Sequence, residues 1–153
     1  MRYPEVLLAL LTTLLLLLPA ASVHPAEERD QTLIAAARDG KTDEVRRLIA
    51  AGADVDAPDI YGLTALMRAA RGGHTEVVRT LLEKGAKVDA ENFTGTTALM
   101  QAAGNGRTEA VKVLLAKGAD PKMQNALGMT ALDIARESGH QDIVRLLQQA
   151  GTK

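Results

Sequence analysis

Residues 62–86 read Gly62-Leu63-Thr64-Ala65-Leu66-Met67-Arg68-Ala69-Ala70-Arg71-Gly72-Gly73-His74-Thr75-Glu76-Val77-Val78-Arg79-Thr80-Leu81-Leu82-Glu83-Lys84-Gly85-Ala86. This stretch reads as two short helices. Thr64 precedes Ala-Leu and can cap the first through its hydroxyl. Ala69-Ala70 keeps that helix narrow, so a neighbour can approach closely. Gly73 can take the positive φ that ends it. A second helix is expected from Thr75, with Glu76 at its positive end and Val78, Leu81 and Leu82 as its buried stripe. Gly85-Ala86 then breaks the helix, and about a dozen residues of turn should follow.

The same pattern recurs at an offset of 33. Gly40, Gly73, Gly106 and Gly139 form one column, and Gly52, Gly85, Gly118 and Gly151 another. Leu33, Leu66, Leu99 and Leu132 keep the spacing, as do Ala36, Ala69, Ala102 and Ala135. Val45, Val78, Val111 and Val144 match in turn, and so do Leu48, Leu81, Leu114 and Leu147. A fixed period of this length marks a stacked array. Asp43, Glu76, Glu109 and Asp142 precede Arg46, Arg79, Lys112 and Arg145 by three residues, giving exposed ion pairs worth a few tenths of a kcal/mol each.

The opening motifs Gly62-Leu63-Thr64-Ala65-Leu66-Met67, Gly95-Thr96-Thr97-Ala98-Leu99-Met100 and Gly128-Met129-Thr130-Ala131-Leu132-Asp133, with Leu81-Leu82-Glu83-Lys84-Gly85-Ala86, resemble the ankyrin repeat. The resemblance covers residues 30–151. It implies an all-α solenoid of about four helix-turn-helix repeats with short hairpin-like turns, near residues 30–58, 59–91, 92–124 and 125–153. The family's Thr-Pro-Leu-His stands here as Thr-Ala-Leu-Met or Thr-Ala-Leu-Asp, which removes a helix-start proline and a histidine's hydrogen bonds. Gln148 takes the place of Ile49, Leu82 and Leu115, as a solvent-facing terminal repeat requires. Leu81, in an internal repeat, is expected to be more completely buried than Leu147 in the terminal one.

Ahead of the array, residues 6–18 are apolar and are followed by Pro19, Ala20, Ala21 and Ser22. A positive start at Arg2, an apolar run and small residues after a proline are expected to form a secretory signal peptide over residues 1–22, cut after Ser22. Thirteen helical residues span roughly 20 Å, short of the roughly 30 Å hydrocarbon core. The competing readings are an uncleaved anchor and a buried core helix. Residues 23–29 are expected to be a flexible segment before an array over residues 30–153.

Composition excludes several classes of function. Of 153 residues, 18 are basic and 19 acidic, and the net charge of -1 argues against a nucleic-acid partner. The absence of cysteine removes disulfides, thiolate metal sites and cysteine nucleophiles. An exported chain without cysteine suits the bacterial periplasm, although a secreted destination remains open. The sequon Asn92-Phe93-Thr94 would matter only in a eukaryotic secretory route.

No catalytic set emerges. His74 and His140 stand at equivalent positions two repeats apart, roughly twice a 10 Å helix spacing and too far for one zinc ion. Ser138 occupies a variable position before a repeat glycine. Gly104-Asn105-Gly106 lacks the lysine of a phosphate cradle. No enzyme, metal or cofactor is expected.

The positions that vary between repeats are more informative. In the ankyrin family, turn tips and the inner helix face contact partner proteins. The matching tip residues are Ile60, Tyr61 and Leu63; Phe93, Thr94 and Thr96; and Ala126, Leu127 and Met129. From the first helices come Met67, Arg68, Arg71, Met100, Gln101, Asn105, Asp133 and Glu137. Both aromatics after the leader, Tyr61 and Phe93, stand at tips, where aromatic anchors suit an interface. The bland alternative is that they pack on neighbouring turns. The resemblance implies a monomeric, exported protein-binding module, free of the membrane once its signal is removed. Small exported bacterial ankyrin proteins suggest support of a periplasmic enzyme such as a catalase; a secreted effector or a toxin-neutralising immunity protein is the alternative.

Overall fold

The computed structural model describes residues 25–151; the proposed signal peptide lies outside the described residues. These form eight α-helices: α1 (Pro25–Arg38), α2 (Thr42–Ala50), α3 (Ala65–Gly72), α4 (Thr75–Glu83), α5 (Ala98–Gly104), α6 (Thr108–Ala116), α7 (Ala131–Glu137) and α8 (Gln141–Gly151). Each odd helix pairs with the even helix after it. The odd helices also stack on one another as an inner layer, and the even ones as an outer layer. The array therefore has the two-layer, nearest-neighbour construction that its 33-residue period implies.

Local chemistry sets the helix ends. Thr64, Thr97 and Thr130 accept through their hydroxyls from the amides of Met67, Met100 and Asp133. In the last repeat Asp133 also answers the cap: its Oδ2 accepts from the Thr130 amide at 3.0 Å and the Thr130 hydroxyl at 2.7 Å. That reciprocal capping box compensates there for the lost Thr-Pro-Leu-His motif. It also holds the Asp133 carboxyl below the usual range, chiefly through the Thr130 hydroxyl and then the Thr130 amide.

The glycines at the inner-helix ends are needed twice over. Gly40, Gly73 and Gly106 have φ of 72°, 75° and 68°, which a side chain would strain. Each also lies under a side chain from the next repeat. A Cβ on Gly40 would sit 2.6 Å from the His74 ring, and one on Gly106 2.8 Å from His140. From those positions His74 Nε2 meets the Arg38 carbonyl at 2.8 Å and His140 Nε2 the Gly104 carbonyl at 3.2 Å. Arg107, at the equivalent position between them, donates from Nε to the Arg71 carbonyl at 3.0 Å. One column thus ties each repeat to the last carbonyls of the preceding inner helix, which would otherwise lack partners.

The core follows the leucine and valine columns. Leu33, Leu66 and Leu99 fill the inner layer, and Val45, Val78 and Val111 with Leu81 and Leu114 fill the space between layers. One expectation about the core needs correction. Leu147 is only 2% exposed, so membership of the last repeat does not open it to solvent. The partly buried members of the leucine columns are Leu132 of α7 and Leu48 of α2, in opposite layers at opposite ends. Gln148 is exposed, as expected.

Residues 25–29 are also not a flexible lead-in, because α1 begins at Pro25. Proline suits the first turn of a helix, where no amide bond is lost, and Glu27 and Glu28 complement its dipole. The helix is fastened to its own repeat: Arg29 Nη1 donates to the Ala51 carbonyl at 2.6 Å, and Asp30 Oδ1 accepts from the Asp54 amide at 2.8 Å. The latter stands in for a brace that preceding loops supply elsewhere. Asp56 accepts from the Lys87 amide, and Asp89 from the Asp120 amide.

Candidate functional site

Three loops project beside the inner helices, and one side chain organises each. Asp59 Oδ1 accepts from the amides of Tyr61 at 2.8 Å and Leu63 at 2.9 Å. Asn92 Oδ1 does the same for Thr94 at 3.0 Å and Thr96 at 2.8 Å, and Asn125 for Leu127 at 3.0 Å and Met129 at 3.1 Å. Backbone bonds close each loop, as in Gly62 N to Asp59 O and Asp59 N to Leu63 O, both 2.9 Å. Asp59, Asn92 and Asn125 are spaced by 33, and that column of short side-chain acceptors is the sequence signal for this bracing. An acceptor two residues before the tip fixes the turn from its own side chain.

This bracing leaves the tip side chains facing outward. Among the described residues the large hydrophobics that stand exposed are Ile60 (81%), Tyr61 (62%), Phe93 (78%) and Leu127 (82%). All four are on tips, on three successive loops. Neighbouring loops touch: the Ala126 amide donates to the Thr94 carbonyl at 2.9 Å. A Cβ on Gly62 would lie 3.0 Å from the Phe93 ring, so Phe93 leans on the preceding loop while most of it stays solvent-exposed. The tips therefore form one ridge rather than separate protrusions.

The other expected contact residues divide three ways. Thr94 and Ala126 are exposed on the ridge; Leu63, Thr96 and Met129 are half-buried at its base. The Thr94 and Thr96 hydroxyls lie 3.1 Å apart, and that of Thr94 donates to Asn92 Oδ1. On the inner helices Arg71, Asn105 and Glu137 are exposed, while Arg68 and Gln101 are half-buried. Asn105 Nδ2 donates to the Gln101 carbonyl at 2.8 Å and finishes α5. Met67 and Met100 do not belong to the surface. They are 1% and 2% exposed and belong to the buried core of the array. Asp133 is engaged in its capping box.

Arg68 joins the two areas. Its Nη2 pairs with Asp59 Oδ2, tying α3 to the base of the first loop. Burial pushes the Asp59 carboxyl up, but Arg68's hydrogen bond, the Leu63 and Tyr61 amides and Arg68's charge outweigh it and leave its pKa lowered. The outer layer carries the expected ion pairs Arg46–Asp43, Lys112–Glu109 and Arg145–Asp142; Glu76 instead meets Arg46 from the neighbouring repeat, at 3.6 Å.

His74 and His140 are held at carbonyls of the preceding repeat, and among the described residues no three His, Asp or Glu side chains converge as metal ligands. Stacked helical hairpins with an outward ridge of braced loops define a repeat scaffold for protein–protein contact. A family model of ankyrin repeats, in three copies, matches residues 8–92 and 89–153, and the chain belongs to that family. The family serves typically as a non-enzymatic binding module. A search of curated proteins returned no match to this chain.

Proposed function

We propose that this is an exported, monomeric binding module that grips one partner protein by its loop ridge and the adjoining inner-helix face. The observation that carries the proposal is the concentration of exposed large hydrophobics at three successive tips. Scattered surface leucines are ordinary, but a contiguous apolar patch on rigid loops is the mark of an interface. Braced turns also lose little freedom on binding, so more of the contact energy appears as affinity. Export rests on the composition of residues 1–22. On this reading the partner is a periplasmic protein, such as a catalase that the array supports.

Capture from periplasmic extract tests both parts. The protein recovered from the exporting cell should begin at Val23, and the immobilised array should retain one identifiable protein. The variant Ile60→Ser with Leu127→Ser should release it. Retention by that variant would move the binding face elsewhere, and an intact Met1 in a membrane fraction would make the leader an anchor.

A further inference from the structure

Beside the ridge, the ends of α1, α3 and α5 border a cleft of about 280 Å³ lined by Arg38, Arg68, Arg71, Gly72, Asn105 and Arg107. Four guanidiniums line it, and two have carboxylate partners: Arg38 meets Asp39 at 2.9 Å and Arg68 meets Asp59. Arg107 is anchored by Nε on the Arg71 carbonyl, and neither it nor Arg71 makes an ion pair among the described residues. The Nε of Arg68 is buried and has no hydrogen-bond partner. The cleft is thus positive in excess, within a chain whose total charge is -1.

Helix polarity alone does not account for it. Arg38 and Arg71 lie in the last turns of α1 and α3, where cations are favoured. Arg68 lies mid-helix, held by Asp59, and Arg107 precedes α6, held on the Arg71 carbonyl, so contacts within the fold rather than helix polarity bring these two to the cleft. Charge also changes along the face. Equivalent inner-helix positions run Arg38, Arg71, Gly104 and Glu137, positive at the first repeats and negative at the last. Guanidinium groups match carboxylates in planar, two-pronged bonds, and a graded charge fixes the direction in which a partner lies.

We propose that this cleft seats the carboxylates of a short acidic run in the partner protein, with apolar neighbours of that run on the tips. The proposal rests on the ridge being the binding face. Arg68 links the two areas physically through Asp59, at the foot of the loop carrying Ile60 and Tyr61. Specificity then has two parts: the ridge selects apolar side chains, and the cleft selects charge and polarity of the chain.

The test is selection of randomised 12-residue peptides on the purified protein, followed by anisotropy of the selected peptide carrying fluorescein. Selected sequences should carry Asp or Glu beside large apolar residues. Binding should weaken at least tenfold in Arg38→Ala with Arg71→Ala, and equally when the peptide's Asp and Glu become Asn and Gln. It should also fall steeply with added salt. Circular dichroism of the variant should match the parent. Selected peptides without acidic residues, or binding indifferent to the arginines, would overturn the cleft while leaving the ridge intact. Binding that survives Tyr61→Ala with Phe93→Ala would instead overturn the ridge. Tighter binding of a labelled single-stranded oligonucleotide than of any peptide would replace the acidic protein with a nucleic acid and sink the proposal.

Discussion

At the scale of the residue, Asp59 shows how one side chain serves fold and site together. Its Oδ1 shapes the first loop and its Oδ2 holds Arg68. The equivalent loops use Asn92 and Asn125 for the first task, so Asp59→Asn should keep the loop and lose only the charge pair. We expect a loss of about 1–2 kcal/mol at neutral pH, the scale of a partly buried hydrogen bond to a charged group. The sign with pH follows from linkage. The folded pKa lies below the unfolded one, so the stabilisation is present above about pH 4 and is lost as pH falls through the folded value. Urea titrations of parent and variant should therefore converge as the pH falls below the unfolded carboxyl range of about 4 and through the lower folded value; a gap constant with pH would contradict the role given to the charge. Residues of this kind were only half legible in the sequence. Arg68 and Arg71, three apart, do share the open face, but Met67 was placed with them and is buried. Variation between repeats marks positions free of the repeat's own constraint. It does not say whether a side chain faces solvent or a neighbouring helix.

At the scale of the element, the helices were legible and the bonds between repeats were not. Capping threonines, helix-ending glycines and leucine columns all state their physical role in their residue type, and they stand where that role requires except for the partly buried Leu48 and Leu132 of the end repeats. The tie from position 74, 107 or 140 back to the preceding inner helix is different. It uses His, Arg and His, which share only reach and a donor, so type alone conceals it. Residues 25–29 conceal their role for a related reason: they precede the first repeat and match no column of it, yet Arg29 bonds across to the turn after α2, as does Asp30 beside it. A pair of glycine variants separates backbone strain from the tie. Gly73 and Gly85 both have positive φ, of 75° and 92°, and each should lose about 1–2 kcal/mol on substitution by Ala from the left-handed backbone alone. A Cβ at Gly85 meets nothing within 4 Å, whereas one at Gly73 lies 2.8 Å from Arg107 Cδ. Gly73→Ala should be the costlier change in denaturant titration. Equal costs would mean that Arg107 adds nothing to the junction.

At the scale of the whole molecule, stability is close to a sum over repeats and their junctions. Leu81→Ala should lose about 2–5 kcal/mol, the range for a fully buried leucine, and Leu147→Ala a similar amount because it is buried as well. Leu132→Ala should lose distinctly less, since α7 leaves that side chain partly open. Comparable losses at Leu81 and Leu132 would show that the last inner helix is covered. The array as a whole presents one ridge, and the central claim is that this ridge binds rather than merely packs. Removing two of its side chains, Tyr61→Ala with Phe93→Ala, tests that most directly when calorimetric titration with the captured partner is paired with thermal melting. Hot-spot truncation commonly loses at least about 2 kcal/mol, or roughly thirtyfold in affinity. We predict a loss of that size or larger with the helical signal and melting midpoint close to the parent's. Undiminished affinity, or an array that melts much earlier, would contradict the claim and make the tips part of the packing.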